Sequence, residues 1–184
     1  HDTNKSKNIV VESGFVKRDE HEKRQGHRGT VLWMTGLSGS GKSTIAHRLE
    51  RDLILGGHRV FVLDGDTLRH GLNRDLGFTA EDRRENLRRA AEVAKVMADA
   101  GLIVLASFIS PFRAERQMVR ELIGERYHEV YVAASLETCE ARDPKGLYQR
   151  ARKGQIPNFT GIDSPYEAPD QAECTLDTNA LPLE

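Results

Sequence analysis

The strongest chemical signal in the chain is the run Gly36-Leu37-Ser38-Gly39-Ser40-Gly41-Lys42-Ser43. It satisfies G-x-x-x-x-G-K-[ST], a spacing in which glycines let backbone N–H groups ring a phosphate, the lysine reaches the β- and γ-phosphates, and the last hydroxyl ligates Mg²⁺. Lys42 and Ser43 take those two roles, and Thr44 follows in the helix whose N-terminus faces the same charge. A Gly/Ser-rich turn alone would mean little. Here an apolar run precedes it and an amphipathic helical pattern follows, which is the context that phosphate binding requires. A guanine-reading N-K-x-D is not found: Asn4-Lys5 precedes the loop and Asn73-Arg74-Asp75 lacks the lysine, which argues against a GTPase.

Three further groups belong to an acceptor side. Leu63-Asp64-Gly65-Asp66 ends the second apolar run, so two carboxylates are expected at the carboxyl edge of a sheet, where ligands of open α/β folds bind. One of them can hold Mg²⁺ through water or accept the proton of an attacking hydroxyl, and the other can orient the acceptor. Asp-Gly-Asp is also an ordinary turn sequence. In the helical pattern 79–100, which opens with Thr79 and Asp82 at capping-box spacing, Leu87, Ala90, Ala91, Ala94, Met97 and Ala98 form one apolar stripe. Projected back to the first turn, that stripe lands on Arg83 with Asn86 at its flank, while Arg84 and Arg88 fall on the solvated side. A charge on a core-facing stripe needs an anionic partner, and an acceptor phosphate would serve. Ser107-Phe108-Ile109-Ser110-Pro111 ends a third apolar run, where Ser110 either donates to a phosphoryl or substrate oxygen or caps the next helix. Both readings stay open.

The elements that must position these groups are short apolar runs at 31–35, 60–63, 102–106 and 130–133, alternating with helical patterns at 44–55, 79–100 and 114–123. That alternation predicts βαβ units and an α/β fold in three layers, with a mainly parallel sheet covered on both faces. Residues 1–29 read as a charged N-terminal arm or short helix lying over a domain that spans 30–184. Residues 142–169 hold four of the six prolines, with glycines and basic residues between them, and read as a lid closing over phosphates. A strand is expected at 174–176; another helix would follow naturally, but the chain ends at Glu184.

Composition sets outer limits. At 184 residues one domain is expected, and a formal charge of −1 gives no basic field for nucleic acid or anionic lipid. Two cysteines, Cys139 and Cys174, make neither a disulfide scaffold nor a metal cluster, and no apolar run approaches a membrane span. A reducing, cytoplasmic setting is expected.

Taken in order, the chain resembles the adenylylsulfate kinases. The resemblance is carried by 35–44, by Leu63-Asp64-Gly65-Asp66 with Arg69, and by Gly71-Leu72-Asn73 and Asp75-Leu76-Gly77-Phe78. It continues in Asp82-Arg83, Asn86 and Arg88-Arg89, in 107–111 with Arg113, in 143–148, and in Phe159-Thr160-Gly161-Ile162 with Pro165-Tyr166-Glu167. It implies a P-loop kinase fold that binds Mg-ATP on Gly36, Leu37, Ser38, Gly39, Ser40, Gly41, Lys42, Ser43 and Thr44. The reaction implied is phosphorylation of the 3′-hydroxyl of adenosine 5′-phosphosulfate, giving ADP and 3′-phosphoadenylyl sulfate for sulfate assimilation. Acceptor contacts would be Asp66, Arg69, Phe78, Arg83, Asn86, Ile109, Ser110, Lys145 and Phe159, with Ser110, Lys42 and Asp64 as catalytic residues. Some accounts of the family give the serine matching Ser110 as a phosphoserine intermediate; direct in-line transfer with Ser110 as a positioning donor is physically simpler. The resemblance further implies a homodimer and association or fusion with ATP sulfurylase. Other readings are a kinase for another small acceptor and a non-catalytic ATP-binding module beside a sulfurylase.

Overall fold

A computed structural model describes residues 9, 10, 12 and 14–180; the first eight residues of the expected arm, positions 11 and 13, and 181–184 lie outside the described residues. The elements in order are α1 (Arg18–Gln25), β1 (Thr30–Thr35), α2 (Lys42–Leu55), β2 (Val60–Asp64), α3 (Gly65–His70), α4 (Ala80–Asp99), β3 (Ile103–Ser107), α5 (Arg113–Ile123), a 3₁₀ turn (Gly124–Arg126), β4 (Tyr127–Ala133), α6 (Leu136–Arg142), α7 (Leu147–Arg152) and β5 (Cys174–Asp177). The five strands form one parallel sheet in the order β2-β3-β1-β4-β5.

Period-two alternation divides each central strand between two cores. Val31, Trp33, Val104 and Ala106 face one cluster with Leu87, Ala90, Ala91, Ala94 and Ala98 of α4 and Val119 and Ile123 of α5. Met34, Ile103, Leu105, Val130 and Val132 face the other, covered by Ala46, Ile45, Leu49 and Leu53 of α2. Burial on both faces is why the strands read as unbroken apolar runs. Small alanines on α4 let that helix lie close to the sheet.

The α4 cap differs from the expected box. Thr79 Oγ1 accepts from the Asp82 amide at 3.1 Å, but the Asp82 carboxylate turns away to take the Gly77 amide at 2.9 Å. That contact fastens the preceding loop instead. The segment 142–169 carries α7 and a third apolar cluster of Leu37, Cys139, Tyr148, Ala151 and Phe159, which ties it to the loop after β1. At the other end of the sheet α1 docks through the partly buried Glu22–Arg126 pair at 2.6 Å and a Gln25 side-chain bond to the Ala100 carbonyl at 2.9 Å. No helix among the described residues is long and apolar enough to cross a membrane.

One buried ion pair crosses the helix–sheet layer: Arg116 Nε of α5 lies 3.1 Å from Glu129 Oε1 of β4, with side-chain exposures of 3% and 9%. The Tyr127 hydroxyl donates to the same carboxylate at 3.0 Å. Removing one partner leaves a buried charge uncompensated, so Glu129→Ala is expected to lower unfolding stability by about 3–5 kcal/mol. Glu92→Ala, which removes an exposed partner of Arg88 at 3.7 Å, is expected to cost no more than about 0.5 kcal/mol. Urea unfolding of both variants checks this, and equal midpoints would remove the pair from the account of stability.

Candidate active site

The carboxyl ends of β1, β2 and β3 lie side by side, so the loops that leave them share one edge. Met34 and Asp64 both register with Ser107 of β3. The Thr35 hydroxyl donates to the Ile109 carbonyl at 2.7 Å, and the Gly36 amide reaches the same oxygen at 3.4 Å. The phosphate loop and the Ser110 loop are thus joined directly.

Glycine is required in that loop for steric reasons. A Cβ at Gly36 would lie 2.5 Å from the Val132 carbonyl oxygen, and one at Gly39, whose φ is +77°, would lie 2.9 Å from the Cys139 carbonyl oxygen. Both distances are closer than a side chain tolerates. Behind the loop, the buried Thr178 hydroxyl donates to the Ser40 carbonyl at 2.7 Å and Tyr148 of α7 donates to the Ser38 carbonyl at 2.7 Å. Lys42 is buried, and its ammonium donates to the Gly36 and Leu37 carbonyls, each at 2.8 Å. Burial, with Lys145 nearby adding like charge, pulls the Lys42 ammonium down to about 8, against the opposing pull of Cys139. Ser43 and Thr44 are exposed at the head of α2.

Asp64 is the N-cap of α3, accepting from the Thr67 amide at 2.9 Å and the Thr67 hydroxyl at 2.7 Å. Burial works to raise its carboxyl, but these bonds and the Asp66 amide outweigh burial and hold it below the ordinary carboxylate value. It is therefore ionised at neutral pH, a better cation partner than proton acceptor. A hydroxyl oxygen at Ser43 and an ionised carboxylate at Asp64 are hard oxygen donors that suit Mg²⁺. No cluster of three or more His, Cys, Asp or Glu side chains able to hold a metal occurs among the described residues. An ion held here would take most of its ligands from phosphate and water, as Mg²⁺ commonly does.

Ser110 has φ of +40°, in the left-handed region that a residue with a side chain seldom adopts. Its buried hydroxyl donates to the Phe108 carbonyl at 3.3 Å and accepts from the Trp33 indole N–H at 3.1 Å, and Arg116 donates to its carbonyl at 2.7 Å. Phe112, not Ser110, is the N-cap of α5, which removes the capping reading. The hydroxyl bonds to neither a histidine nor a carboxylate, so no base is poised to activate it as a nucleophile.

Among the residues expected to face the acceptor, Arg69 stacks over Phe78 with 4.3 Å from the guanidinium carbon to the ring centroid and donates to the Gly77 carbonyl at 2.9 Å. Burial and then the neighbouring Arg83 charge shift Arg69 below its usual value, although a guanidinium remains charged. Phe78 is 65% exposed, a flat apolar face in open view. Arg83 is half-buried, as its stripe position requires, but its partners here are neutral: the Phe78 carbonyl at 3.0 Å and the Asn158 carbonyl at 2.8 Å. Asn86 is 5% exposed. Lys145 bonds Asp66, linking the segment after α6 to the start of α3. Phe159 packs edge-on against Tyr148 with ring centroids 5.0 Å apart, as part of the third apolar cluster.

Arg116, Glu129 and Thr178 support these loops but carry no role in the sequence analysis, and Tyr166 appears there only within a matching segment. Arg116 had a signal of the same kind as Arg83, because it shares the apolar stripe of α5 with Val119 and Ile123. Thr178 had none.

Comparison with known proteins agrees with this geometry. A family model described as adenylylsulphate kinase matches residues 28–177. The chain is 58% identical over 177 residues to an adenylyl-sulfate kinase of Bacillus licheniformis, covering 95% of this chain and 89% of that one. It is 59% identical over 175 residues to one of Klebsiella pneumoniae, covering 95% and 87%. The solved structure of a Mycobacterium tuberculosis APS kinase in complex with AMPPNP and APS superposes with a TM-score of 0.80 at 51% identity, covering 82% of this chain and 88% of that one. A phosphate loop, a carboxylate pair and a strained serine on one parallel-sheet edge, together with a family match over most of its length, mean that this chain belongs to the adenylylsulfate kinase family of P-loop kinases.

Proposed function

We propose that this chain transfers the γ-phosphoryl group of Mg-ATP to the 3′-hydroxyl of adenosine 5′-phosphosulfate, releasing ADP and 3′-phosphoadenylyl sulfate. The observation that carries the reading is the convergence on one sheet edge of a lysine-bearing phosphate loop and a separate basic and aromatic face, Arg69, Phe78 and Arg83. Two nucleotides can meet there end to end.

In this reading residues 36–44 bind ATP, and on binding Lys42 exchanges its two carbonyl partners for phosphate oxygens. Ser43 and Asp64 would hold Mg²⁺, which when bound neutralises charge developing on the transferring phosphate. Asp64 also assists removal of the 3′-hydroxyl proton, although its lowered pKa favours the role of cation partner. Phe78 stacks on the acceptor base, Arg83 and Arg69 face its anionic group, and Asn86, Asp66, Lys145, Ile109 and Phe159 complete the site. Ser110 positions the acceptor instead of forming a covalent intermediate, because its hydroxyl already serves the Phe108 carbonyl and the Trp33 indole. Residues 142–169 act as the lid. A homodimer, association with a sulfurylase and a cytoplasmic setting belong to the same reading through the family resemblance.

An ADP-release assay with Mg-ATP against adenylyl sulfate, AMP, shikimate and gluconate is expected to give turnover on adenylyl sulfate. Silence there with turnover on another acceptor would replace the proposed acceptor.

The Lys42 environment gives a pH prediction. Its free-state value of about 8 lies below the ordinary lysine value, and a triphosphate favours the ammonium form, so ATP binding raises the value again. Near pH 8 binding should therefore take up about half a proton per site, falling toward zero by pH 6, where the ammonium is already formed. Titration calorimetry in buffers of different ionisation enthalpy measures this; release of protons at pH 8 would contradict the sign.

Arg83 and Arg84 supply an internal control. Arg83→Ala is expected to lower kcat/KM for adenylyl sulfate by about ten- to a hundred-fold with little change for ATP, the worth of one charge-assisted contact. Arg84 is exposed, and Arg84→Ala should stay within about twofold. Identical behaviour of the two variants would move the acceptor site elsewhere.

A further inference from the structure

Asn73 lies in the turn between α3 and α4, and it is fully buried. Its amide donates to the Leu68 carbonyl at 2.7 Å and its carbonyl accepts from the Leu76 amide at 3.0 Å. Arg89 of α4 holds the same turn by a two-bond grip on Asp75, at 2.7 and 2.9 Å, and by a bond to the Leu72 carbonyl at 3.3 Å. The side chain at 73 is therefore placed by rigid surroundings.

That side chain is used on one side only. Asn73 Nδ2 donates to Asn86 Oδ1 at 3.0 Å and also approaches the Asn86 carbonyl oxygen at 3.5 Å, whereas Asn73 Oδ1 is buried with no hydrogen-bond partner. The backbone carbonyl can only accept, so the atom of Asn73 that faces residue 86 must be the nitrogen. Asn86 in turn must present its oxygen to Asn73. An orphaned buried acceptor is costly, and a residue needed only to shape a turn would not require one. What the arrangement secures is the orientation of the neighbouring carboxamide.

We propose that Asn73 is a positioning residue for the acceptor substrate: by donating to Asn86 Oδ1 from a buried, fixed site it aims Asn86 Nδ2 at the acceptor pocket, so the substrate atom recognised there must be a lone-pair acceptor. A ring nitrogen or an ester or hydroxyl oxygen qualifies, and an amino group does not. Asn73 touches no substrate and acts through Asn86. The inference rests on the reading of Asn86 as an acceptor contact, and it adds the direction of the hydrogen bond and the residue that sets it.

The test is a double-mutant cycle on kcat/KM for adenylyl sulfate and for ATP, with Asn73→Ala, Asn86→Ala and the double variant, and with thermal midpoints recorded. Asn86→Ala should lower acceptor kcat/KM by roughly tenfold or more, and Asn73→Ala by several-fold, both with ATP nearly unaffected. The double variant should be no worse than Asn86→Ala alone, because residues acting through one contact are not additive. A turn-shaping role would instead make Asn73→Ala equally harmful in both backgrounds, or harmful to ATP use as well, and either result overturns the proposal while leaving Asn86 in the site. An inert Asn86→Ala removes Asn86 from the site and the proposal with it. Should Asn73→Ala fail to fold, Asn86→Asp decides: it keeps an oxygen for Asn73 but has no N–H, so, with a midpoint lowered by the buried carboxylate, it should lose acceptor use by tenfold or more with ATP use nearly unaffected. Full acceptor use by Asn86→Asp would show that no donor is needed there.

Discussion

A guanidinium buried to the depth of Arg116 has to find a partner for each N–H it carries, and much of the active edge follows from how it does so. It pairs with Glu129 in the sheet, donates to the Ser110 carbonyl at 2.7 Å and to the Glu167 carbonyl at 2.6 Å, and stands 5.8 Å from the Tyr166 ring centroid. Tyr166 in turn bonds Thr35 at 2.9 Å, at the root of the phosphate loop. A helix, a central strand and two loops are thereby fixed to one charge. The unfavourable backbone angle at Ser110 persists because this surrounding network over-determines it.

Around that anchor the two sides of the cleft are built differently. The phosphate-loop side is largely backbone, with glycines forced by contacts to carbonyl oxygens and a lysine bonded to two carbonyls. The side proposed for the acceptor is largely side chain, with arginines, an exposed phenylalanine and a locked carboxamide. Residues 142–169 touch both, through Tyr148 to Ser38, Lys145 to Asp66, and Asn158 to Arg83. A conformational change in that segment is felt on both sides at once.

Much of this was legible from sequence. The strands were, because a parallel sheet buried on both faces leaves apolar runs that polar periodicity does not interrupt. The phosphate loop was, because its chemistry constrains four positions at fixed spacing within eight consecutive residues. Arg83 was placed correctly on its helix, but the wheel could not supply the Asn158 carbonyl, which comes from 75 residues away. Helices α3 and α7, six residues each, are too short for a period to emerge. Whether Ser110 caps the next helix depended on where α5 begins, with Phe112 as its N-cap, which no side-chain pattern encodes. Asn73 reads in sequence as an ordinary turn former, and only the burial of its side chain marks it as something else.

Trp33 is the chain's one tryptophan. It is wholly buried, stacked on Phe108 at 4.8 Å between centroids, and its indole N–H ends on the Ser110 hydroxyl. All indole emission from this protein therefore originates one hydrogen bond from Ser110, the residue proposed to position the acceptor. Any event that re-bonds that hydroxyl acts directly on the chromophore, so the fold carries an intrinsic optical reporter of the state of Ser110 and needs no attached label.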